Sequence, residues 1–222
     1  MIGEAAHHLG RVLRAEKGQI YELSDGGLVR LARIESVARD RVEFVLLEEV
    51  AAQRPSVDTT LLLSIVKFDA FEWAIEKATE LGVSRIVPLA ASRSEKGLIA
   101  GAAKRAERWR KILVEASQQS RRLSVPNLEA ASAPAEQFRK QVGGLRILLS
   151  ERADAPSLKV TLDGARETQA VLAIGPEGGW VDGEIATGRE AGFREASLGK
   201  LILRTETAVI AALAALNYAL SE

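Results

Sequence analysis

Apolar positions in the first part of the chain come in short clusters. Ile20 and Leu23, Leu28 to Ile34, and Val42 to Leu47 are separated by Asp25-Gly26-Gly27 and Arg39-Asp40. That rhythm and punctuation belong to short strands joined by hairpin turns, and it predicts a small antiparallel sheet or barrel over residues 1–53. AAQRPSVD, Ala51 to Asp58, has a proline and no periodicity and reads as a linker. From Thr59 the pattern changes. TLLLSIV is a continuous apolar run of the kind found in parallel strands buried on both faces. DAFEWAIEKATELGV then places Phe71, Ala74, Ile75, Ala78 and Leu81 on one helical face, with Asp69 as N-cap and Gly82 as the stop. SRIVPLA, Leu145 to Ser150, Gln169 to Gly175 and the segment around REASLG are further strands. Ala102 to about Arg121, Asp182 to Ala191 and Thr205 to Leu220 are further helices. The expectation is a small β domain followed, over 59–222, by an α/β domain with a mostly parallel sheet.

Composition narrows the chemistry. The chain has 222 residues, 47% hydrophobic and 27% charged, ordinary for a globular protein, and no run approaches the roughly 18 to 20 apolar residues of a membrane span. No basic segment followed by an apolar one opens the chain, so a cytoplasmic protein without a membrane partner is expected. With no cysteine, disulfides, thiolate metal sites and cysteine nucleophiles are excluded. Two histidines, His7 and His8, argue against a multi-histidine metal site, and no metal is expected. The formal net charge is zero, so any binding of nucleic acid must use a local patch.

Two stretches are candidates for chemistry. An apolar strand followed by Gly175-Pro176-Glu177-Gly178-Gly179 and then a helix is the arrangement in which a loop at a strand's carboxyl end lines a ligand crevice. It is neither a phosphate-binding P-loop nor a dinucleotide fingerprint, and a plain tight turn is the competing reading. The second stretch, SLGKLILRTETA from Ser197 to Ala208, runs from a glycine through an apolar segment to Arg204 and an Ala-rich helix. Thr205 or Thr207 is the expected cap of that helix, and Glu206 suits the positive end of its dipole. Arg204, an obligate cation beside Leu201-Ile202-Leu203, requires an anionic or polar partner. Lys104, Arg105, Arg108, Lys111, Arg121 and Arg122 surround a face of Ala106, Trp109, Leu113 and Ala116, either as a solvated helix surface or as phosphate contacts. Trp73 and Trp109 read as core or interface, and Trp180 as a ring at the rim of the glycine loop.

HHLGRVLR, EKATELGVSRIVPL, SRSEKG, RWRKILVEASQQSRRLSVP, IGPEGGW with Glu184 following, and SLGKLILRTETA occur in this order over nearly the whole chain. In this set and order the sequence resembles the ribosomal RNA small subunit methyltransferase E family of the SPOUT class. The resemblance implies a PUA-like N-terminal β-barrel domain, a C-terminal domain with a deep trefoil knot, and a homodimer. It implies S-adenosyl-L-methionine as methyl donor and N3 of a uridine in 16S rRNA of the small ribosomal subunit as acceptor, uracil 1498 in ribosomal numbering. On the family's pattern the donor is held by Ile174, Gly175, Pro176, Glu177, Gly178 and Gly179 together with Leu198, Gly199, Ile202, Leu203, Thr205, Glu206 and Ala208. RNA contacts fall to Arg11, Arg14, Arg93, Arg108, Arg121 and Arg122. One departure is evident: the family opens with a short strand carrying an Arg-Phe type pair, whereas this chain reaches His7 and His8 almost at once.

Methylation at N3 of uracil requires loss of a weakly acidic ring proton and stabilisation of the charge left on the neighbouring carbonyl oxygens by a preorganised donor. Arg204 is the candidate for that catalytic role, with a carboxylate or water taking the proton. Three alternatives stay open at this level. They are a related methyltransferase acting on transfer RNA or a ribose hydroxyl, a non-catalytic RNA-binding or ribosome-assembly protein, and a small-molecule α/β enzyme.

Overall fold

The structure is a computed structural model that describes residues 1–51 and 55–220. Ala52, Gln53 and Arg54, part of the expected linker, lie outside the described residues. The chain divides into two units, Met1–Arg54 and Pro55–Glu222.

In the first unit a short helix α1 (Glu4–His7) continues into a π-helical turn, His8–Val12, followed by strands β1 (Ile20–Ser24), β2 (Val29–Val37) and β3 (Val42–Val50). They form an antiparallel sheet in the order β1-β2-β3. The Asp25-Gly26-Gly27 turn is built as its residue types predict, because the Asp25 carboxylate accepts from the N–H groups of Gly27 and Leu28 at 3.0 and 2.9 Å. Ala6, Leu9, Ala15, Ile34 and Val42 make its small core. In β2–β3 the partner of Leu31 is Glu48 and that of Ala32 is Leu46. Leu47 is therefore an extra residue, and such a bulge breaks the in–out alternation and leaves Leu46 and Leu47 exposed.

The second unit contains β4 (Asp58–Ser64), α2 (Phe68–Glu80), β5 (Arg85–Leu89), α3 (Lys96–Gln119), β6 (Asn127–Leu128), α4 (Pro134–Lys140), β7 (Leu145–Leu149), α5 (Leu158–Leu162), β8 (Gln169–Ile174), α6 (Asp182–Glu190), β9 (Arg194–Ala196) and α7 (Thr205–Leu220). Its sheet is parallel throughout, in the order β6-β5-β4-β8-β7-β9. Continuous apolar runs suit it because both faces are covered. Leu61 and Leu63 of β4, Ile147 and Leu149 of β7, and Leu172 and Ile174 of β8 face the layer of α2, α3, α5 and α7. The intervening Leu62, Leu148 and Ala173 face Phe138, Trp180, Ile185 and Phe193 around α4 and α6.

Several boundaries differ from the sequence expectation. Helix α2 starts at Phe68 after Lys67, so Asp69 sits inside the first turn and its carboxylate accepts from Ala70 N–H rather than capping. Helix α3 begins at Lys96, since Gly97 and Gly101 interrupt the apolar periodicity without breaking the backbone. Strand β9 is only Arg194–Ala196. Elements β6, α4 and α5 are too short to carry a readable period. Trp109 is buried against Phe71, with ring centroids 4.4 Å apart, while Trp73 is exposed.

Candidate active site

At the carboxyl edge of the sheet, the loops leaving β5, β7, β8 and β9 gather around one cavity of about 310 Å³, within the range of small-molecule sites. The turn after β8 closes through a hydrogen bond from Gly179 N–H to Pro176 O at 2.8 Å. Gly179 has φ +70°, a left-handed conformation that a side chain disfavours. At Gly175 an added Cβ would stand 3.1 Å from the Trp180 indole, so glycine lets the loop backbone press on the ring. Trp180 departs from its expected place at the rim. It is buried, its Nε1–H donates to Leu149 O at 2.8 Å, and its ring meets Phe138 edge-on. The indole thus pegs the glycine loop to the end of β7 while one part of it still faces the cavity.

Beyond β9 the chain from Ser197 returns along the same edge. Ser197 N–H donates to Pro156 O and Leu158 N–H to Ser197 O, at 2.7 and 2.8 Å. Thr205 does not cap α7 with its side chain. It is the first helical residue, and its hydroxyl points across the cavity toward Gly175 O at 3.4 Å. Pro176 and Leu203, distant in sequence, are walls of the same cavity.

Of the residues expected at the donor site, Ile174, Gly175, Pro176, Glu177 and Gly179 line the cavity from one loop, and Leu198, Gly199, Ile202, Leu203, Thr205 and Ala208 from the other. Gly178 stands just behind, its carbonyl accepting from Arg93 Nη1 at 2.6 Å. Glu206 is buried off the wall, and its Oε2 has no hydrogen-bond partner. Arg204, the residue expected to stabilise charge, lies between the cavity-lining Leu203 and Thr205 in sequence. Its carbonyl accepts the first-turn N–H of Ala208, its side chain is exposed, and it is absent from the cavity wall.

The loop after β7 supplies what sequence reasoning missed, namely Ser150, Glu151 and Arg152, with Asp182 opposite. A polar E-R-A-D run at the carboxyl end of a predicted parallel strand is the signal that was available. Arg152 donates to Asp182 at 2.9 Å and Asp154 at 3.3 Å, and lies 4.0 Å from the buried Glu195, which also pairs with Arg189. The hydrogen bond that Arg152 donates to Asp154, then the charge of Asp154, raises the Arg152 pKa, and the same hydrogen bond chiefly lowers that of Asp154. Glu184 is a buried staple. One carboxylate oxygen accepts from Ser92 N–H at 2.8 Å and the other from Val181 N–H at 3.0 Å, which ties the Arg93 loop to the start of α6.

The basic residues divide by environment. Arg11 and Arg14 are exposed on the first unit. Arg108 is held by Glu72 at 2.8 Å yet remains well exposed. Arg121 is exposed at φ 54°, just past α3. Arg122 is partly buried and donates to Thr79 O at 2.6 Å, and burial lowers its pKa, so one of its donors is turned inside the fold. Among the described residues no group of three His, Asp or Glu side chains is arranged to hold a metal, and no helix is long and apolar enough to cross a membrane.

A crevice of glycine loops at the carboxyl edge of a parallel sheet, in a chain that also carries a small β unit, is the architecture of an RNA methyltransferase. Residues 53–217 match the family model of the RNA methyltransferase domain, and residues 2–47 match that of the RNA methyltransferase PUA domain. The chain belongs to the ribosomal RNA small subunit methyltransferase E family. The Synechocystis sp. protein of that name is 38% identical over 95% of this chain and 70% of its own length. The Neisseria gonorrhoeae protein of that name, solved bound to S-adenosyl methionine, superposes with a TM-score of 0.89 at 32% identity, covering 99% of this chain and 91% of that one. A Legionella pneumophila methyltransferase in complex with bound S-adenosylmethionine gives 0.84 at 31% identity, covering 97% and 89%.

Proposed function

We propose that this protein transfers a methyl group from S-adenosylmethionine to N3 of a uridine in 16S rRNA of the small ribosomal subunit, the family's uracil 1498. The observation that carries the proposal is the meeting of the Ile174–Gly179 and Leu198–Ala208 segments across one cavity. When bound, the donor supplies an electrophilic sulfonium methyl. The cavity suits it on two counts. Ile174, Leu198, Leu203 and Ala208 give apolar walls for a purine, and the two glycine loops bring backbone N–H and C=O groups within reach of polar atoms.

The chain's own residues then bind and orient. Gly175 to Gly179, held by Trp180 and Arg93, make one jaw, and Leu198 to Thr205 the other. Arg11 and Arg14 on the PUA-like unit, with Arg108 and Arg121, contact RNA phosphates. Arg204, exposed between the cavity-lining Leu203 and Thr205 in sequence, joins them, and Arg122 contributes least because Thr79 O already engages it. The segment through β9 and α7 forms the family's trefoil knot. The active form is a homodimer working in the cytoplasm, and a second copy covers Leu201, Ile202 and Tyr218, which are 82%, 79% and 90% exposed in one protomer.

Unmodified small subunits incubated with labelled donor test the proposal. Nucleoside mass spectrometry is expected to find N3-methyluridine. Label on a ribose hydroxyl, on transfer RNA only, or nowhere overturns it. Light scattering is expected to give twice the protomer mass.

A further inference from the structure

We propose that Glu151 and Arg93 are the pair that prepares the uracil. Glu151 takes the N3 proton, and Arg93 holds the negative charge left on the adjoining carbonyl oxygen. This inference rests on the reading of the site as a uracil-N3 methyltransferase.

The two residues come from loops after different strands, β7 and β5, and converge on Gly179. Measured from the point where a Cβ of Gly179 would stand, Glu151 Oε1 is 2.8 Å away and Arg93 Nη1 is 3.9 Å away. Both side chains line the cavity and both are exposed to it. Neither is neutralised. Among the described residues Arg93 makes one hydrogen bond, to the uncharged Gly178 carbonyl at 2.6 Å, and no ion pair, and Glu151 makes neither. The other ionic groups on the wall are engaged elsewhere or belong to the turn itself. Arg152 and Asp182 bind each other at 2.9 Å, and Glu177, on the glycine turn, is a second exposed carboxylate on the wall and the rival that Glu177→Gln tests. A carboxylate and a guanidinium left unpaired side by side over bare backbone are complementary to the imide edge of uracil, which presents one N–H flanked by two carbonyl acceptors. Glycine at position 179 keeps the gap between them open.

The chemistry balances with these groups alone. The N3–H bond breaks as an O–H bond forms on Glu151, and the electron pair stays on the imide, spread over N3 and the carbonyl oxygens that Arg93 faces. The N3 lone pair then forms the N–CH3 bond as the S–CH3 bond breaks and sulfur keeps that pair. Glu151 returns its proton to water. Arg93 has a second task, because its bond to Gly178 O holds the donor loop in shape.

Single-turnover methyl transfer to unmodified small subunits, followed against pH, tests the pair. Glu151→Gln is expected to bind S-adenosylmethionine within about threefold of the unsubstituted protein by calorimetry. Its transfer rate at neutral pH should fall by about 10² to 10⁴. The deficit should narrow by about tenfold per pH unit as hydroxide replaces the missing base. Arg93→Lys, at saturating donor so that any loosening of the loop at Gly178 is compensated, should transfer more slowly than the parent, and its rate should rise with pH over a higher range. A deficit in Glu151→Gln that is the same at every pH, a parallel loss of donor affinity, an unchanged rate, or the full effect appearing in Glu177→Gln instead overturns the assignment. Failure of the unsubstituted protein to methylate N3 is a separate result and removes the functional reading itself.

Discussion

Gly175→Ala tests how the glycine loop is held. The new Cβ would lie 3.1 Å from both Cε2 and Nε1 of Trp180, against the roughly 3.5 to 4.0 Å of comfortable carbon contacts, so the ring must retreat by about half an ångström. It has little room, with Phe138 at its edge and its Nε1–H fixed to Leu149 O at 2.8 Å. Overpacking of a buried ring costs about 1–3 kcal/mol, and stretching a buried hydrogen bond adds about 1 kcal/mol, for a total of about 2–4 kcal/mol. Urea unfolding should show that loss at an unchanged slope. Calorimetry should show at least tenfold weaker donor binding, since Gly175 and Trp180 both wall the cavity. Trp180→Phe shortens the ring and relieves the clash, so the double variant should lose markedly less than the sum of the two single changes. A loss below about 0.5 kcal/mol in Gly175→Ala, or strict additivity with Trp180→Phe, would refute the reasoning.

Glu195→Gln should destabilise the second unit by about 1–2 kcal/mol in urea unfolding. It removes a carboxylate that is 5% exposed while leaving Arg152 and Arg189, which are 42% and 57% exposed and so partly compensated by water. Arg121→Gly should stabilise by up to about 1 kcal/mol in thermal unfolding, because residue 121 sits at φ 54° in the left-handed position that ends α3. The same change should reduce the salt slope of RNA binding by about one contact, and an unchanged slope would remove Arg121 from the interface. The Leu28 and then the Gly27 backbone hydrogen bonds hold the Asp25 pKa below its ordinary value. A depressed folded-state pKa means the turn's contribution is present above the unfolded value, about 3.9, and is lost as pH falls through the lower folded one. NMR titration of the Asp25 carboxyl should therefore find its midpoint below 3.9, and a midpoint at or above that value contradicts the turn geometry.

Strand and helix types were legible wherever a segment was long enough to carry a period. TLLLSIV read as a strand buried on both faces, and the helix from Phe68 to Glu80 showed its stripe of Phe71, Ala74, Ile75 and Ala78 without help from any neighbour. The glycine loops were legible as places where backbone must turn or approach something closely. Family motifs then named the donor. What remained hidden lay in short or irregular pieces such as β6, α4 and α5, whose few residues fold because neighbours cover them. The direction of individual side chains was hidden too, as Trp180 illustrates. Next to a glycine loop it looked like a rim residue, and only the position of Leu149 O turned it inward.

Local pattern and composition were enough to determine the two-part architecture, the parallel sheet, the absence of thiol chemistry and the two glycine-bearing segments that line the cavity. Those properties depend on residue type and spacing within a dozen neighbours. Which charged groups face the cavity was decided only by the tertiary structure. Arg93, Glu151 and Gly179 are separated by dozens of residues and meet because β5, β7 and β8 lie in one sheet with their loops at the same edge. Arg204 lies within the second cavity-lining segment in sequence and is still not part of the wall. Sheet order sets distances between loops, and that order follows from packing the whole chain at once, which no single stretch encodes.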